Sequence, residues 1–398
     1  MRLHHIELVD FRAFSSAQVD LVPDGVTVIV GPNGAGKTSI LEAVSYLGTQ
    51  RSFRRVRREA LVRAGRERAV IRADLDDGGH PVLVEAELPV SGRPRTQVNR
   101  HVARTRRELA TTVPVSVFAP DDVGIVHGPP GGRREVLDDA LGALDPTVAA
   151  ALEQVEKVLR QRAALLRQSG GRMAGDVVTT LDVWDRRLAQ AGTVVADARE
   201  ALVERLRPLV AESYAALAGT GSTDGLTGEQ RALAQVMITY HRSWAGNLGD
   251  ELAVNRREDL RRGTTSIGPH RDDLVLVLDQ RDARSQASQG EQRCLALALR
   301  LAVHRLVADA AGAPPILLLD DVFSELDATR ARALVAQLPA GQALLTTAAE
   351  LPPGMAAASL VDVRDLGPAP GGLCPPDPAG SSIPGSSTVR GSRRVEDQ

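Results

Sequence analysis

Four shortages mark this chain, and each excludes something. Cysteine occurs only at Cys294 and Cys374 in 398 residues, without metal-ligand spacing. A disulfide framework and a cysteine-based zinc module both need more. No apolar run approaches the roughly 18 residues of a membrane span. The opening Met1-Arg2-Leu3-His4-His5-Ile6-Glu7 has no hydrophobic stretch of the signal-peptide kind. The expectation is therefore a cytoplasmic protein that makes no use of a membrane. Aromatic residues are only 3% of the chain, so stacking of unpaired bases has little to work with. Lysine is confined to Lys37 and Lys157, although Lys and Arg together number 48. Charge nearly cancels, at a formal net of −2, which still allows a locally basic surface. With 43% hydrophobic residues, the chain is long enough for two or three globular domains.

Against that background Lys37 is informative. Val26–Val30 reads as a buried strand. It runs into Gly31-Pro32-Asn33-Gly34-Ala35-Gly36-Lys37-Thr38, which fits G-x-x-x-x-G-K-[ST]. Ser39 to Leu47 reads as the helix that follows. Glycines let the backbone approach closely, and successive N–H groups make an anion cradle. A compact ammonium can sit between phosphates where a planar guanidinium cannot. The Thr38 hydroxyl is a magnesium ligand in such a loop. At the other end of the chain Ile316-Leu317-Leu318-Leu319 delivers Asp320-Asp321. Asp320 is expected to hold magnesium with Thr38, and Asp321 to orient or deprotonate the attacking water. Just before this strand stands Ser288-Gln289-Gly290-Glu291-Gln292-Arg293. There the Ser288 hydroxyl and the Gly290 N–H would make a second anion site at a helix start. The expected cofactors are ATP and Mg2+.

The long stretch between these motifs has its own organisation. Residues 3 to 9 read as a strand. Arg51, Arg54, Arg55, Arg57, Arg58, Arg63, Arg66, Arg68 and Arg72 are opposed locally only by Glu59 and Glu67. Alternation in Val70–Leu75 and Val82–Leu88, with Thr96–Val102, predicts an antiparallel meander. From Arg133 the periodicity turns helical over residues 133 to 168 and 176 to 218, with Gly170-Gly171 as the turn. An antiparallel helical arm is expected, with Pro208 interrupting its second helix. Val236–Tyr240 and Leu274–Leu278 read as strands, residues 247 to 262 and Cys294–Val307 as helices. After Gly367 the chain is rich in Pro, Gly and Ser and is expected to be disordered. The expected fold is α/β. Residues 1–128 and 263–366 form a phosphate-loop ATPase head with an antiparallel β subdomain. Residues 129–262 form an inserted α-helical arm, and 367–398 a tail.

The order of motifs resembles the ATP-binding-cassette head. In that head one subunit's signature segment, here Ser288, Gln289, Gly290, Glu291 and Gln292, closes on the γ-phosphate held by another. Ser324-Glu325-Leu326-Asp327 then corresponds to the loop that crosses the interface, which puts Asp327 near nucleotide. Glu7-Leu8-Val9-Asp10-Phe11-Arg12-Ala13-Phe14 resembles chromosome-maintenance and repair ATPases more than transporters, and implies a nucleotide contact for Arg12. Further segments resemble the RecF family of bacterial recombination mediators: Phe118-Ala119-Pro120-Asp121-Asp122-Val123, Arg133–Asp138, Gln161–Leu166, Leu181–Asp185, Gly268–Asp273 and Ser288–Arg293. Ser39 and Val136 depart from that pattern, which often has Asn at the first position and usually an aromatic at the second.

The resemblance implies an ATP-dependent homodimer that clamps DNA at gaps or junctions. It also implies RecR, RecO and the strand-exchange recombinase as partners, in repair, replication and the SOS response. A weak, DNA-stimulated ATPase is expected, because residues 117 to 122 lack the magnesium-sensing glutamine and Thr346-Thr347 stands where transporters carry a switch histidine. Arg51, Arg54, Arg55, Arg57 and Arg58 are the candidate DNA contacts, reading phosphates without sequence preference. His270 reads as a structural or interface histidine in a turn. The alternatives are a transporter ATPase subunit and a non-hydrolysing DNA-binding scaffold.

Overall fold

Alternating burial builds the first sheet. β1 (Arg2–Phe11) turns back as β2 (Phe14–Asp20), and β3 (Gly25–Val30) leaves for a second sheet and feeds α1 (Lys37–Thr49). β4 (Arg68–Asp77), β5 (His80–Pro89), β6 (Arg95–Val98) and β7 (His101–Val102) complete an antiparallel sheet of order β2-β1-β4-β5-β6-β7. This computed structural model describes residues 1–218, 235–348, 351, 352 and 354–366. The segment expected to be a disordered tail, 367–398, lies outside them. β2 is not among the expected strands. Its Ser15-Ser16 and Gln18 are weak strand formers, yet Phe14, Ala17 and Val19 alternate inward and are buried.

α2 (Arg106–Thr112) leads into β8 (Val115–Phe118), and α3 (Val123–His127) opens the helical stretch. α4 (Pro130–Leu144), α5 (Pro146–Gln168) and α6 (Gly175–Ala218) follow. The stretch expected as one helix from 133 is therefore two. Asp145 caps the second, accepting from the amides of Thr147 and Val148, and Pro146 takes the first helical position, where no N–H is needed. Gly170 and Gly171, at φ 56° and 81°, turn the chain into α6.

Pro208 does not interrupt α6, contrary to expectation. An internal proline costs about 3 kcal/mol. Here Val203, Leu206, Val210, Tyr214 and Leu217 continue one buried stripe across it, packed on the helix that begins at Gln289. Each such side chain contributes roughly 1.5–3 kcal/mol on burial, so the stripe outweighs the proline. This stretch of α6 is thus packed into the same core as the helix that begins at Gln289.

The remaining elements are β9 (Val236–His241), α7 (Leu248–Arg262), β10 (Asp273–Leu278), β11 (Arg281–Asp282), α8 (Ala283–Gln286), α9 (Gln289–Ala311), β12 (Ile316–Asp320), α10 (Ala328–Gln337), β13 (Gln342–Thr347) and β14 (Ser359–Asp362). The second sheet is wholly parallel, in the order β14-β3-β13-β12-β8. Both of its faces are covered, as parallel sheets require. Leu317, Leu319 and Leu345 belong to the core shared with α6 and α9. Ile316, Leu318 and Leu344 belong to the core shared with α1 and the antiparallel sheet. The phosphate-loop strand β3 and the carboxylate strand β12 are not neighbours, since β13 runs between them. Among the described residues no helix is long and apolar enough to cross a membrane.

Candidate functional site

The loop after β3 is shaped by its glycines. Gly34 and Gly36 take φ of 80° and 105°, which favours glycine. At Gly36 a Cβ would also lie 2.7 Å from the Phe14 ring. No side chain caps the start of α1, which leaves that end of the helix to an anion. Lys37, nearly buried, folds its Nζ onto the loop's own carbonyls, donating to Gly31 at 2.7 Å and Pro32 at 3.1 Å.

The two ends of the chain meet here. Thr38 Oγ1 donates to Asp320 Oδ1 at 2.8 Å across 282 residues of sequence. Thr346, at the end of the intervening β13, donates its Oγ1 to the same oxygen at 2.8 Å and accepts from the Asp321 amide at 3.0 Å. Burial pushes the Asp320 carboxyl above the usual range, while the Thr346 and Thr38 hydroxyls and the Arg54 guanidinium pull it back. A buried carboxylate held only by hydroxyls, beside a phosphate cradle, fits a hard oxygen-loving cation such as magnesium. Asp321 sits at φ 48°, a left-handed conformation costly for a side chain. Its amide is pinned to Thr346, and Ser324 Oγ donates to its carbonyl at 2.8 Å. Those contacts hold the carboxylate-bearing turn in place.

Segment 288–292 is divided in its duties. Ser288 Oγ accepts from the Glu291 amide at 3.3 Å, and the Glu291 carboxylate accepts from the Ser288 amide at 2.7 Å, forming a capping box. Those bonds hold the Glu291 carboxyl below its ordinary range. The amides of Gln289 and Gly290 make no hydrogen bond among the described residues. The Gln292 side chain is turned inward, donating to the carbonyls of Ala283, Arg284 and Ala287, so it fastens the turn before α9. Asp327 caps α10, accepting from Thr329 and Arg330 amides. Arg12, expected at nucleotide, instead grips the fully buried Glu42 of α1 through two 2.7 Å bonds and donates to Ala60 O at 2.9 Å. A carboxylate inside the fold needs such a partner, and three of the five guanidinium N–H groups are used in these bonds.

Folding also redistributes the arginine-rich stretch. Arg72 stands opposite Glu7 on one side and Glu85 on the other and is paired with both. Arg63 and Arg66 meet Asp10, and Arg68 meets Glu87. Arg51 and Arg55 reach Glu135 of α4 at 3.0 and 3.1 Å. Arg58 is half-buried near Tyr46 and reaches Glu59 only at 3.7 Å. Of the five candidate DNA contacts, Arg54 and Arg57 are exposed and in no ion pair among the described residues, although Arg54 lies near enough to Asp320 to hold its carboxyl down. His270 is half-buried with Nε2 on Thr265 O at 3.1 Å, and burial lowers its pKa to about 4.

Sequence reasoning does not name Glu42 or Ser52, reads Thr346 only as standing at a switch-histidine position, and meets Arg293 only as the end of the Ser288 segment. Ser52 donates to Glu42, and its Oγ accepts from the Arg54 amide at 3.1 Å, tying the arginine loop to α1.

Together, a parallel sheet carrying the phosphate loop and Asp320 at its carboxyl edge, an antiparallel sheet beside it and a helix opened by Ser-Gln-Gly define an ATPase head of the ATP-binding-cassette type. The model of the RecF/RecN/SMC N-terminal domain matches residues 2–348. The chain belongs to that family, and within it to the RecF family, as its relatives show. The DNA replication and repair protein RecF of Frankia alni is 44% identical, over 88% of this chain and 94% of that one. RecF of Streptomyces avermitilis is 40% identical, with the same coverages of 88% and 94%. Among solved structures, the recombination mediator protein RecF with ATP, of the RecFOR pathway, superposes with a TM-score of 0.80 at 25% identity. That match covers 91% of this chain and 95% of the other.

Proposed function

We propose that this protein is an ATP-gated DNA clamp that acts as a recombination mediator in gap repair. One observation carries the reading: the 2.8 Å Thr38–Asp320 bond, which joins motifs 282 residues apart into one phosphate-and-cation pocket. Lys37 leaves the Gly31 and Pro32 carbonyls to neutralise phosphate, while the cradle amides fix its oxygens. Thr38 and Asp320 hold magnesium, which when bound neutralises charge on the phosphates. Asp321 orients or deprotonates water at a site fixed by Thr346. The free amides of Gln289 and Gly290, with the Ser288 hydroxyl, serve a triphosphate presented by a second copy. A ligand gripped by both chains stabilises only the closed pair, so ATP shifts the population toward it.

Residues 129–262 form the arm on this reading, and 1–128 with 263–366 the head. Arg54 and Arg57 contact DNA phosphates, giving affinity without sequence preference. Likeness to DNA replication and repair proteins and to a mediator of the RecFOR pathway supports a role in repair and replication, with RecR and RecO as partners; the proposed location is the cytoplasm. Hydrolysis is slow and DNA-stimulated. Size measurement with ATP, ADP and no nucleotide tests the core of this reading. Doubling of mass with ATP alone, lost in Lys37→Met, is expected. A wild-type protein that stays single at saturating ATP, magnesium and duplex refutes it.

A further inference from the structure

One carboxylate of α4 holds two arginines of the loop that follows α1. Glu135 Oε1 accepts from Arg51 Nη1 at 3.0 Å, and its Oε2 accepts from Arg55 Nη2 at 3.1 Å. Asp139, one helical turn on, reaches Arg51 at 3.7 Å. The loop is anchored on its other side, since Ser52 is bonded to Glu42 of α1 and the Arg55 amide donates to the Ser52 carbonyl at 3.0 Å. Arg55 stands at φ 55°, a left-handed conformation that such contacts must maintain. Its guanidinium lies over the first turn of α4, where a Cβ on Gly132 would come within 3.1 Å of Nη2. That end of a helix carries partial positive charge and opposes a guanidinium. Glu135 supplies the one ion pair of Arg55 among the described residues, so the pair is formed but weakly held. The neighbouring Arg54 and Arg57 are exposed and in no ion pair among the described residues.

We infer that Glu135 is a specificity-determining residue of the DNA surface, which admits a phosphate backbone and refuses isolated anions. This rests on the proposed DNA contacts of the loop. In the free chain the Glu135 carboxylate takes the place of a phosphate between Arg51 and Arg55. A single phosphate must displace it unaided. Duplex DNA carries a charge about every 1.7 Å of its axis, so a strand seated on Arg54 and Arg57 brings further phosphates to the pair at high local concentration. Exchange of carboxylate for phosphate then costs little, because a surface ion pair is weak and the helix end opposes this one. Arg51 and Arg55 thus join the interface only after it has begun to form.

Affinity for a fluorescent duplex, measured on the full chain with ATP and magnesium, tests this. Glu135→Gln should bind it about fivefold more tightly, the size of a surface ion pair. In an Arg51→Ser, Arg55→Ser background the same change should gain less than about twofold, the share of plain charge repulsion. An equal gain in both backgrounds, or none in the first, overturns the inference. Selectivity is read by exchanging chloride for inorganic phosphate at constant ionic strength. Phosphate should displace duplex from Glu135→Gln at about a threefold lower concentration than from the wild type. Equal competition leaves Glu135 as a brace for the loop and also overturns the inference. Duplex held by Glu135→Gln alone supports the restraint. Duplex held by neither protein is a separate result, and it brings down the DNA reading itself.

Discussion

Arginine does opposite work in two regions of this molecule. Among the helices, Arg162 is fully buried between α5, α6 and α7. Its Nε meets Asp185 at 2.8 Å, and its Nη1 meets Asp259 at 2.7 Å and Thr265 at 2.9 Å. Arg256 shares Asp185, and Ser266 shares Asp259. In the head, Arg51 and Arg55 pair with Glu135 while their side chains remain 46% and 61% exposed. The distances barely differ, yet the surroundings do. In water an ion pair contributes 0 to about 1 kcal/mol, whereas breaking one buried pair strands a charge at a cost of about 3–5 kcal/mol. The interior set fixes the geometry of three helices, and the surface set is free to be exchanged for other anions.

The comparison can be broken in order of size. Arg162→Met should lower unfolding free energy in urea by about 3–5 kcal/mol, because buried Asp259 loses its guanidinium and Asp185 keeps only that of Arg256. A loss under about 1 kcal/mol would mean that the interior network is no firmer than a surface pair. Next comes the Arg12–Glu42 pair, buried on one side only. Arg12→Ala should cost roughly 2–3 kcal/mol by the same measurement. If nucleotide binding then suffers through α1, ATP should also stabilise the variant less than the parent.

An interior group with no partner sharpens the contrast further. His304 is 1% exposed, and neither ring nitrogen has a hydrogen-bond partner among the described residues. Burial lowers its pKa to about 4, with Arg305 adding to the fall. The unfolded chain therefore takes up a proton near pH 6.5 while the folded chain does not. The stability this histidine supports is complete above that pH and is lost as pH falls toward 4. His304→Leu should flatten the acid limb of a stability profile by about 1–3 kcal/mol. An unchanged slope would show that the imidazole is solvated.

The smallest effects on stability should come from the surface. Arg51→Ser with Arg55→Ser should change unfolding free energy by less than about 1 kcal/mol. Arg54→Ser with Arg57→Ser should also leave stability alone. On DNA, however, each phosphate no longer neutralised should lower the logarithmic salt slope by roughly 0.9. Equal weakening of DNA affinity in both double variants would erase the distinction between paired and unpaired arginines.

What can be read from sequence is what is local. The phosphate loop announces itself because a tight turn, a lysine and a hydroxyl must be adjacent in the chain. Asp320 is legible because an apolar strand must end where it stands. The bond from Thr346 to Asp320 is not, since it depends on β13 lying between β3 and β12. The charge of residues 51 to 72 misleads for the same reason. Glu7, Glu85 and Asp10 neutralise it through register and turns that a linear count does not contain. Pro208 carries a real local penalty, and only the stripe packed on α9 reveals why the helix ignores it. Asp145-Pro146, by contrast, carries a cap-and-start signal in plain view that helical periodicity masks.

The strand order has a consequence for biosynthesis. β3 is flanked by β13 and β14, and both are translated last among the described elements. On the ribosome the nascent cradle must wait, with its apolar strand unpaired on both sides, until nearly all of the polypeptide has emerged. Truncated products should therefore be unable to hold nucleotide, whatever their first residues promise. The waiting strand is then the point at which a chaperone would most usefully intervene.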